Sequence, residues 1–325
     1  MQTALHKLPK PFFVLAPMDD VTDTVFRQIV ADLAAPDLYF TEFVNVDGLQ
    51  SPGRPRLLKK LQFTDKEKPL IAQLWGKNPD NFRKTARELA EQGYAGIDLN
   101  MGCPVKAVVS NGCCSALINN RELTGEIIQA VREGVGDLPC PVTVKTRLGF
   151  GSVDLSWHEF LLKQKLNMLT IHGRTVKELS AVPAHWDAIE EIRKMRDTIS
   201  PDTLIVGNGD VLTRAQGIEL ARKHGLDGIM IGRGVFEDPF VFAENSPWET
   251  LTPTERLDLY RQHVELFAET WQHGERRIPT LNKFCKIYVS GFDGAKELRE
   301  ELMACETTQG LLDILQTAVQ NLVTV

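Results

Sequence analysis

Eight short apolar runs rich in β-branched residues recur between Phe12 and Ile231, and stretches of helical spacing separate most of them. The runs are Phe12–Ala16, Leu38–Phe43, Leu70–Leu74, the stretch from Ile97, Val142–Lys145, Met168–His172, Leu204–Asn208 and Gly228–Ile231. Helical spacing follows at Asp23–Leu33, Asn78–Gln92, Arg121–Val135, Asp154–Lys165, Ala184–Met195 and Thr213–His224. Strands buried on both faces and alternating with helices predict an α/β fold, a (β/α)8 TIM barrel. Gln50–Lys68, rich in Pro, Gly, Lys and Arg, reads as an irregular excursion, and Val108–Ile118 as a loop. Beyond Ala243 no strand signal remains. Thr252–Trp271, Thr280–Val289, Ala295–Cys305 and Thr307–Val323 read as helices, giving a barrel over 1–243 and a small all-helical C-terminal domain over 244–325.

In such a barrel the loops after the strand C-termini carry the chemistry. The polar residues gather there: Pro17-Met18-Asp19, Glu42, Gln73, Asn100 with Cys103, Lys145 with Arg147, His172 with Arg174, Asn208-Gly209-Asp210 and Gly232-Arg233. The glycines after the seventh and eighth strands, with Arg233, suit a phosphate. Gln73, Lys145 and His172 point toward the same mouth, and together they suit a flavin ring. Read singly, Lys145 is equally a salt-bridge partner, Gln73 a rim residue and His172 a core histidine. One phosphate loop and no GxGxxG fingerprint favour FMN over a dinucleotide.

Asn100-Met101-Gly102-Cys103-Pro104 holds a thiol on a stiff turn just past a strand. Gly102 permits close backbone approach, and Pro104 biases Cys103 away from helix. A buried structural cysteine is one reading and a proton donor the other. A thiol of ordinary pKa, near 8.5, stays mostly protonated at neutral pH. Cys113, Cys114, Cys140, Cys285 and Cys305 read as small hydrophobes; none of the cysteines has the spacing of a metal site or a disulfide framework, so no metal is expected. The formal net charge of −6 argues against a general nucleic-acid binder but leaves room for a local basic face. No apolar run is long enough for a bilayer and Met1–Pro11 lacks a leader's apolar core, so the cytoplasm is expected, with no membrane partner. A monomer is expected.

The motifs together resemble the tRNA-dihydrouridine synthase family. They are Ala16-Pro17-Met18, Thr41-Glu42-Phe43, Gln73-Leu74-x-Gly76, Asp98-Leu99-Asn100-Met101-Gly102-Cys103-Pro104-x-Lys106, Val144-Lys145-x-Arg147-Leu148-Gly149, Ile171-His172-Gly173-Arg174-Thr175, Asn208-Gly209-Asp210 and Ile231-Gly232-Arg233. The resemblance implies an enzyme with tightly bound FMN that reduces the 5,6 double bond of uridines in tRNA, with NADPH recharging the flavin. It implies Cys103 as general acid, and Asn100 and Arg147 at the uracil, with Glu42, Asn45, Lys106 and Arg174 also on the substrate side. It implies Lys145 and His172 at the flavin, with Pro17, Met18, Asp19, Gln73, Asn208, Gly209, Asp210, Gly232 and Arg233 lining the cofactor. The sequence departs from the family at Val108–Ser115, where Cys113 and Cys114 replace small residues of a glycine-rich loop and are open to oxidation. It also departs at Lys165–Asn167 and Lys177–Ala181.

A tRNA partner needs positive charge. Arg54, Arg56, Lys59 and Lys60, with Arg276, Arg277, Lys283 and Lys286, are the candidates. Two other functions remain open at this point: an FMN barrel oxidoreductase acting on a small molecule such as dihydroorotate or an enone, and a non-catalytic tRNA-binding module.

Overall fold

The computed structural model describes residues 3–323. Nine strands form one parallel sheet: β1 (Phe12–Leu15), β2 (Tyr39–Phe40), β3 (Val44–Asn45), β4 (Leu70–Trp75), β5 (Gly96–Met101), β6 (Val142–Arg147), β7 (Met168–His172), β8 (Leu204–Asn208) and β9 (Gly228–Ile231). Their order runs β1-β9-β8-β7-β6-β5-β4-β2, with β3 also on β4. A parallel bridge from Val14 to Leu38 joins β1 to the start of β2 and closes the cylinder. This is the expected (β/α)8 barrel, with its second strand in two pieces.

The split has a local cause. Thr41 turns its hydroxyl onto the Glu42 carbonyl at 2.7 Å and also accepts from the Gln73 N–H at 3.0 Å. The chain therefore leaves the ladder at Thr41 and rejoins at Val44, where Asn45 caps a short helix by accepting from the Gly48 N–H. The excursion after it is more ordered than its composition suggests. It contains a helical turn at Pro55–Leu58 and a 3-10 turn at Asp65–Glu67. The second turn delivers Glu67 to the fully buried Arg27, with Nε to Oε2 at 2.6 Å. The segment read as a loop after Cys103 likewise holds a short helix, Lys106–Val109, and a 3-10 helix, Cys114–Asn119.

The barrel helices cap as their sequences direct. Asp23, Asn78, Asn120, Asp154 and Thr213 each accept from a first-turn N–H. In the C-terminal part the long helices Pro253–Thr270 and Thr308–Val323 match expectation, but the helix expected over Thr280–Val289 is two short ones, Ile278–Asn282 and Cys285–Tyr288. The break turns Phe284 onto the barrel helix Thr24–Ala34, where its ring stacks on Phe26 at 4.9 Å between centroids. His263 packs beside the same two rings.

Candidate active site

The C-terminal ends of β1, β6, β7, β8 and β9 surround a pocket of about 420 Å³. Of the residues expected to line a cofactor, Pro17, Met18, Lys145, His172, Asn208, Gly209, Asp210, Gly232 and Arg233 lie in its wall. Gly209 has φ 144°, and a Cβ there would fall 2.7 Å from the Ala184 Cβ, so only glycine lets this turn pass. Asp210 follows with φ 52°, a left-handed backbone held by its carboxylate. That carboxylate accepts from Arg174 Nη2, from the Ala184 N–H at 3.0 Å and from Arg233 Nη2 at 3.2 Å. The backbone N–H groups of Gly209, Asp210 and Arg233 donate to no acceptor among the described residues. They form a donor edge beside the Arg233 guanidinium.

Lys145 and His172, from the neighbouring β6 and β7, complete the wall, with His172 against the Gly209 turn. Lys145 lines the pocket, and no hydrogen bond or ion pair ties its amine to another described residue. Burial first, then the Arg147 charge, brings its pKa down to about 8, while Asp98 and Cys103 pull it back up. His172 is held far below the usual range, at about 2, by burial and then by the charges of Lys145, Arg147, Arg174 and Arg233. It is therefore neutral. Arg174 Nη1 lies 3.3 Å from its Nε2, and a guanidinium can only donate. The ring proton consequently sits on Nδ1. Unpaired backbone N–H donors together with a half-buried lysine and an imidazole N–H donor fit an anionic phosphate and a heteroaromatic ring.

Asp19 and Gln73 are not in that wall. Asp19 pairs with Lys60. Gln73 is fully buried, with Nε2 on Asp98 at 2.7 Å and Oε1 accepting from Asn100 Nδ2 at 2.9 Å. Asn100 in turn accepts on Oδ1 from the N–H of Gly102 at 3.1 Å and of Cys103 at 2.5 Å. Its amide builds the turn and keeps one N–H free.

Cys103 is half-buried just past β5, outside the pocket's own wall but on the strand paired with β6, which carries Lys145. The neighbouring Cys114 thiol is the largest influence on its pKa, which falls to about 7. Burial opposes this; the Val105 N–H and the Arg147 charge assist, and Asp19 opposes. Cys114 goes up correspondingly. Cys103 is thus drawn below the ordinary thiol that the sequence suggests. The sequence signal was the Cys113-Cys114 departure, whose second member occupies a left-handed position at φ 53° under the Cys103 turn. Arg147 gives Nε to the Gly102 carbonyl at 2.7 Å and Nη1 to those of Thr175 and Leu179. Its Nη2 donates to no described residue. Lys106 is exposed at the start of its short helix.

Three substrate-side candidates are committed elsewhere. Glu42 is fully buried and bound by Arg276 Nη2, with Lys60 Nζ at 3.9 Å. Asn45 is a helix cap, and Arg174 is buried against Asp210. Arg276 is likewise corrected as a phosphate contact: it is 5% exposed and paired with Glu42 and Asp20. Arg54 pairs with Glu88, whereas Arg56, Arg277 and Lys286 have no ion pair among the described residues.

The family described as "Dihydrouridine synthase (Dus)" matches residues 14–324. The chain belongs to that family of flavin-dependent oxidoreductases. It is 47% identical over 314 residues to the "Probable tRNA-dihydrouridine synthase 2" of Bacillus subtilis (strain 168), covering 95% of this chain and 94% of that one. It is 46% identical over 313 residues to the "Probable tRNA-dihydrouridine synthase" of Staphylococcus aureus (strain COL), covering 94% of each. Among solved structures it is similar in fold to morphinone reductase in complex with tetrahydroNAD, with a TM-score of 0.51 and 12% identity over 72% of this chain and 88% of that one. A 2-naphthoyl-CoA reductase complex gives a TM-score of 0.55 and 12% identity, over 71% and 49%.

Proposed function

We propose that this chain reduces the C5–C6 bond of uridines in tRNA, with FMN in the 420 Å³ pocket and NADPH as reductant. The observation that carries the reading is the Cys103 turn at the end of β5, next to the strand whose Lys145 lines a pocket that also offers backbone N–H donors and a neutral His172. The free N–H groups of Gly209, Asp210 and Arg233 would hold the phosphate, and Lys145 and His172 the ring. A reduced flavin held there would provide hydride chemistry toward C6 of the uracil.

The chain's own residues do the rest. Hydride addition leaves negative charge on C5 and O4 of the base, because the double bond is conjugated to the C4 carbonyl. Cys103 gives its proton to C5. A thiol of pKa about 7 is still half-protonated at neutral pH and a strong enough acid to give the proton up. Arg147 Nη2 and the spare N–H of Asn100 are the free donors for the base carbonyls. Residues 1–243 are the catalytic barrel and 244–325 the tRNA-binding domain. Arg56, Arg277 and Lys286 are the cations available for phosphates, and the target base leaves its stack to enter the mouth. The cytoplasm, where tRNA is modified, is the expected compartment.

The test is dihydrouridine mapping in unmodified tRNA after incubation with the protein, FMN and NADPH. Dihydrouridine at defined positions is the expected result. Turnover of free uridine or an enone without tRNA would favour a small-molecule reductase. Tight tRNA binding by a colourless protein that cannot take up FMN would favour a binding module.

A further inference from the structure

Asp98 has no role in the reading above, yet it is the only carboxylate in a buried chain of hydrogen bonds that ends at Cys103. Thr143 Oγ1 donates to its Oδ1 at 2.5 Å and Gln73 Nε2 to its Oδ2 at 2.7 Å. Asp98, Thr143 and Gln73 are all 0% exposed. The chain continues from Gln73 Oε1 to Asn100 Nδ2, and from Asn100 Oδ1 to the N–H groups of Gly102 and Cys103.

Each amide in this chain has two ends of opposite polarity, and each could in principle be turned over. The direction is set at one terminus. Backbone N–H groups of Gly102 and Cys103 only donate, so the turn requires an oxygen from Asn100. Asn100 then presents nitrogen to Gln73, Gln73 presents oxygen back, and the nitrogen of Gln73 needs an acceptor behind it. Asp98 Oδ2 is that acceptor. Without it, Gln73 Nε2 is a buried donor with no partner, an unfavourable state whichever way the amide lies. Turning Gln73 over would set two NH2 groups face to face at Asn100 and release the turn.

We propose that Asp98 is a positioning residue that fixes the polarity of the Gln73–Asn100 chain and thereby the Cys103 turn. It acts from within β5, two residues before Asn100. The idea rests on the reading of Cys103 as the acid for its catalytic meaning, but not for its test. Releasing the turn separates the Cys103 sulfur from the Cys114 thiol and the Val105 N–H that lower its pKa. Thiol reactivity therefore reports the chain without reference to turnover.

The experiment is the pH dependence of iodoacetamide alkylation at Cys103, followed by peptide mass spectrometry in the full-length protein. The variants are Asp98→Leu and Asp98→Asn. The leucine removes the acceptor. The asparagine can keep an oxygen toward Gln73 while its nitrogen donates to Thr143. Asp98→Leu should move the alkylation midpoint up by about one pH unit and slow alkylation at pH 7 about fivefold. Asp98→Asn should restore a midpoint near that of the natural protein. A leucine profile that superimposes on the natural one would overturn the proposal, and so would an asparagine variant shifted as far as the leucine. If Asp98→Leu does not fold, Gln73→Leu cuts the chain one link further on and must show the same upward shift; an unshifted profile there overturns the proposal too. Failure here leaves dihydrouridine formation by the natural protein unaffected, so the two readings fall separately.

Discussion

Arg276, from the C-terminal segment, lays its guanidinium on the fully buried carboxylate of Glu42 at the end of the second barrel strand. Asp20 and Asp23 add their carboxylates at 3.3 and 3.5 Å, and Trp271 lies under the guanidinium at 5.6 Å. Burial pushes the Glu42 pKa up, and Arg276 and then Lys60 hold it down. Removing the cation leaves a buried carboxylate largely uncompensated. Arg276→Met should therefore cost about 3–5 kcal/mol in urea denaturation. The double variant with Glu42→Gln should recover much of that loss. Equal losses in the single and double variants would mean that the pair is not what is being measured.

The neighbouring Cys114 thiol is the first influence that lowers the Cys103 pKa. An acid must carry its proton to act, so the rate of base reduction should fall as pH rises through about 7. Cys114→Ala removes that thiol and lets the Cys103 pKa climb toward its ordinary value. The alkaline limb of the single-turnover profile should move up by about one unit or more. Coincident profiles would show that the neighbouring thiol does not tune the acid.

Two buried histidines, His158 near 4 and His263 near 3, and the half-buried His172 near 2 resist protonation in the folded state, each chiefly through desolvation. Unfolded, each takes a proton near 6.5. Folded pKa values below unfolded ones mean that the unfolded chain binds more protons. The stability these groups supply is complete above about pH 6.5 and is lost as pH falls below it. Three such groups together give a slope of up to about 4 kcal/mol per pH unit between pH 6 and 4. Denaturation series at pH 7, 6 and 5 would reveal it, and a flat series would contradict the buried neutral assignment.

Phosphates of a bound tRNA should fall on the cations that the fold leaves unpaired. Arg277→Ala with Lys286→Ala should weaken tRNA binding and lower its salt slope by about one for each cation removed. Lys66→Ala, whose lysine pairs with Asp32 on the surface, serves as the control and should leave the slope in place. Equal slopes in the natural protein, the double variant and the control would put the tRNA on another face.

The barrel was legible because apolar runs at strand length ended in polar residues eight times over; β7, β8 and β9 fall on the expected residues. The pocket wall was legible for the same reason, since position at a strand end determines where a side chain points. What the sequence did not reveal was pairing across distance. Nothing local to Arg276 says that a carboxylate far earlier in the chain will neutralise it, and it reads like any other surface cation. Gln73 likewise sits at a strand end, as cofactor ligands do, yet two buried neighbours claim both ends of its amide. The split of the second strand escaped notice because Thr41 has good strand propensity and only its hydroxyl bonds reveal the turn.

The central claim is that the Cys103 thiol protonates a base reduced in the neighbouring pocket. Single-turnover formation of dihydrouridine in unmodified tRNA by the reduced, FMN-loaded Cys103→Ala protein tests it most directly. The expected rate is about 10²–10⁴-fold below that of the natural protein, with tRNA binding unchanged. A Cys103→Ala protein that makes dihydrouridine at the natural rate would contradict it.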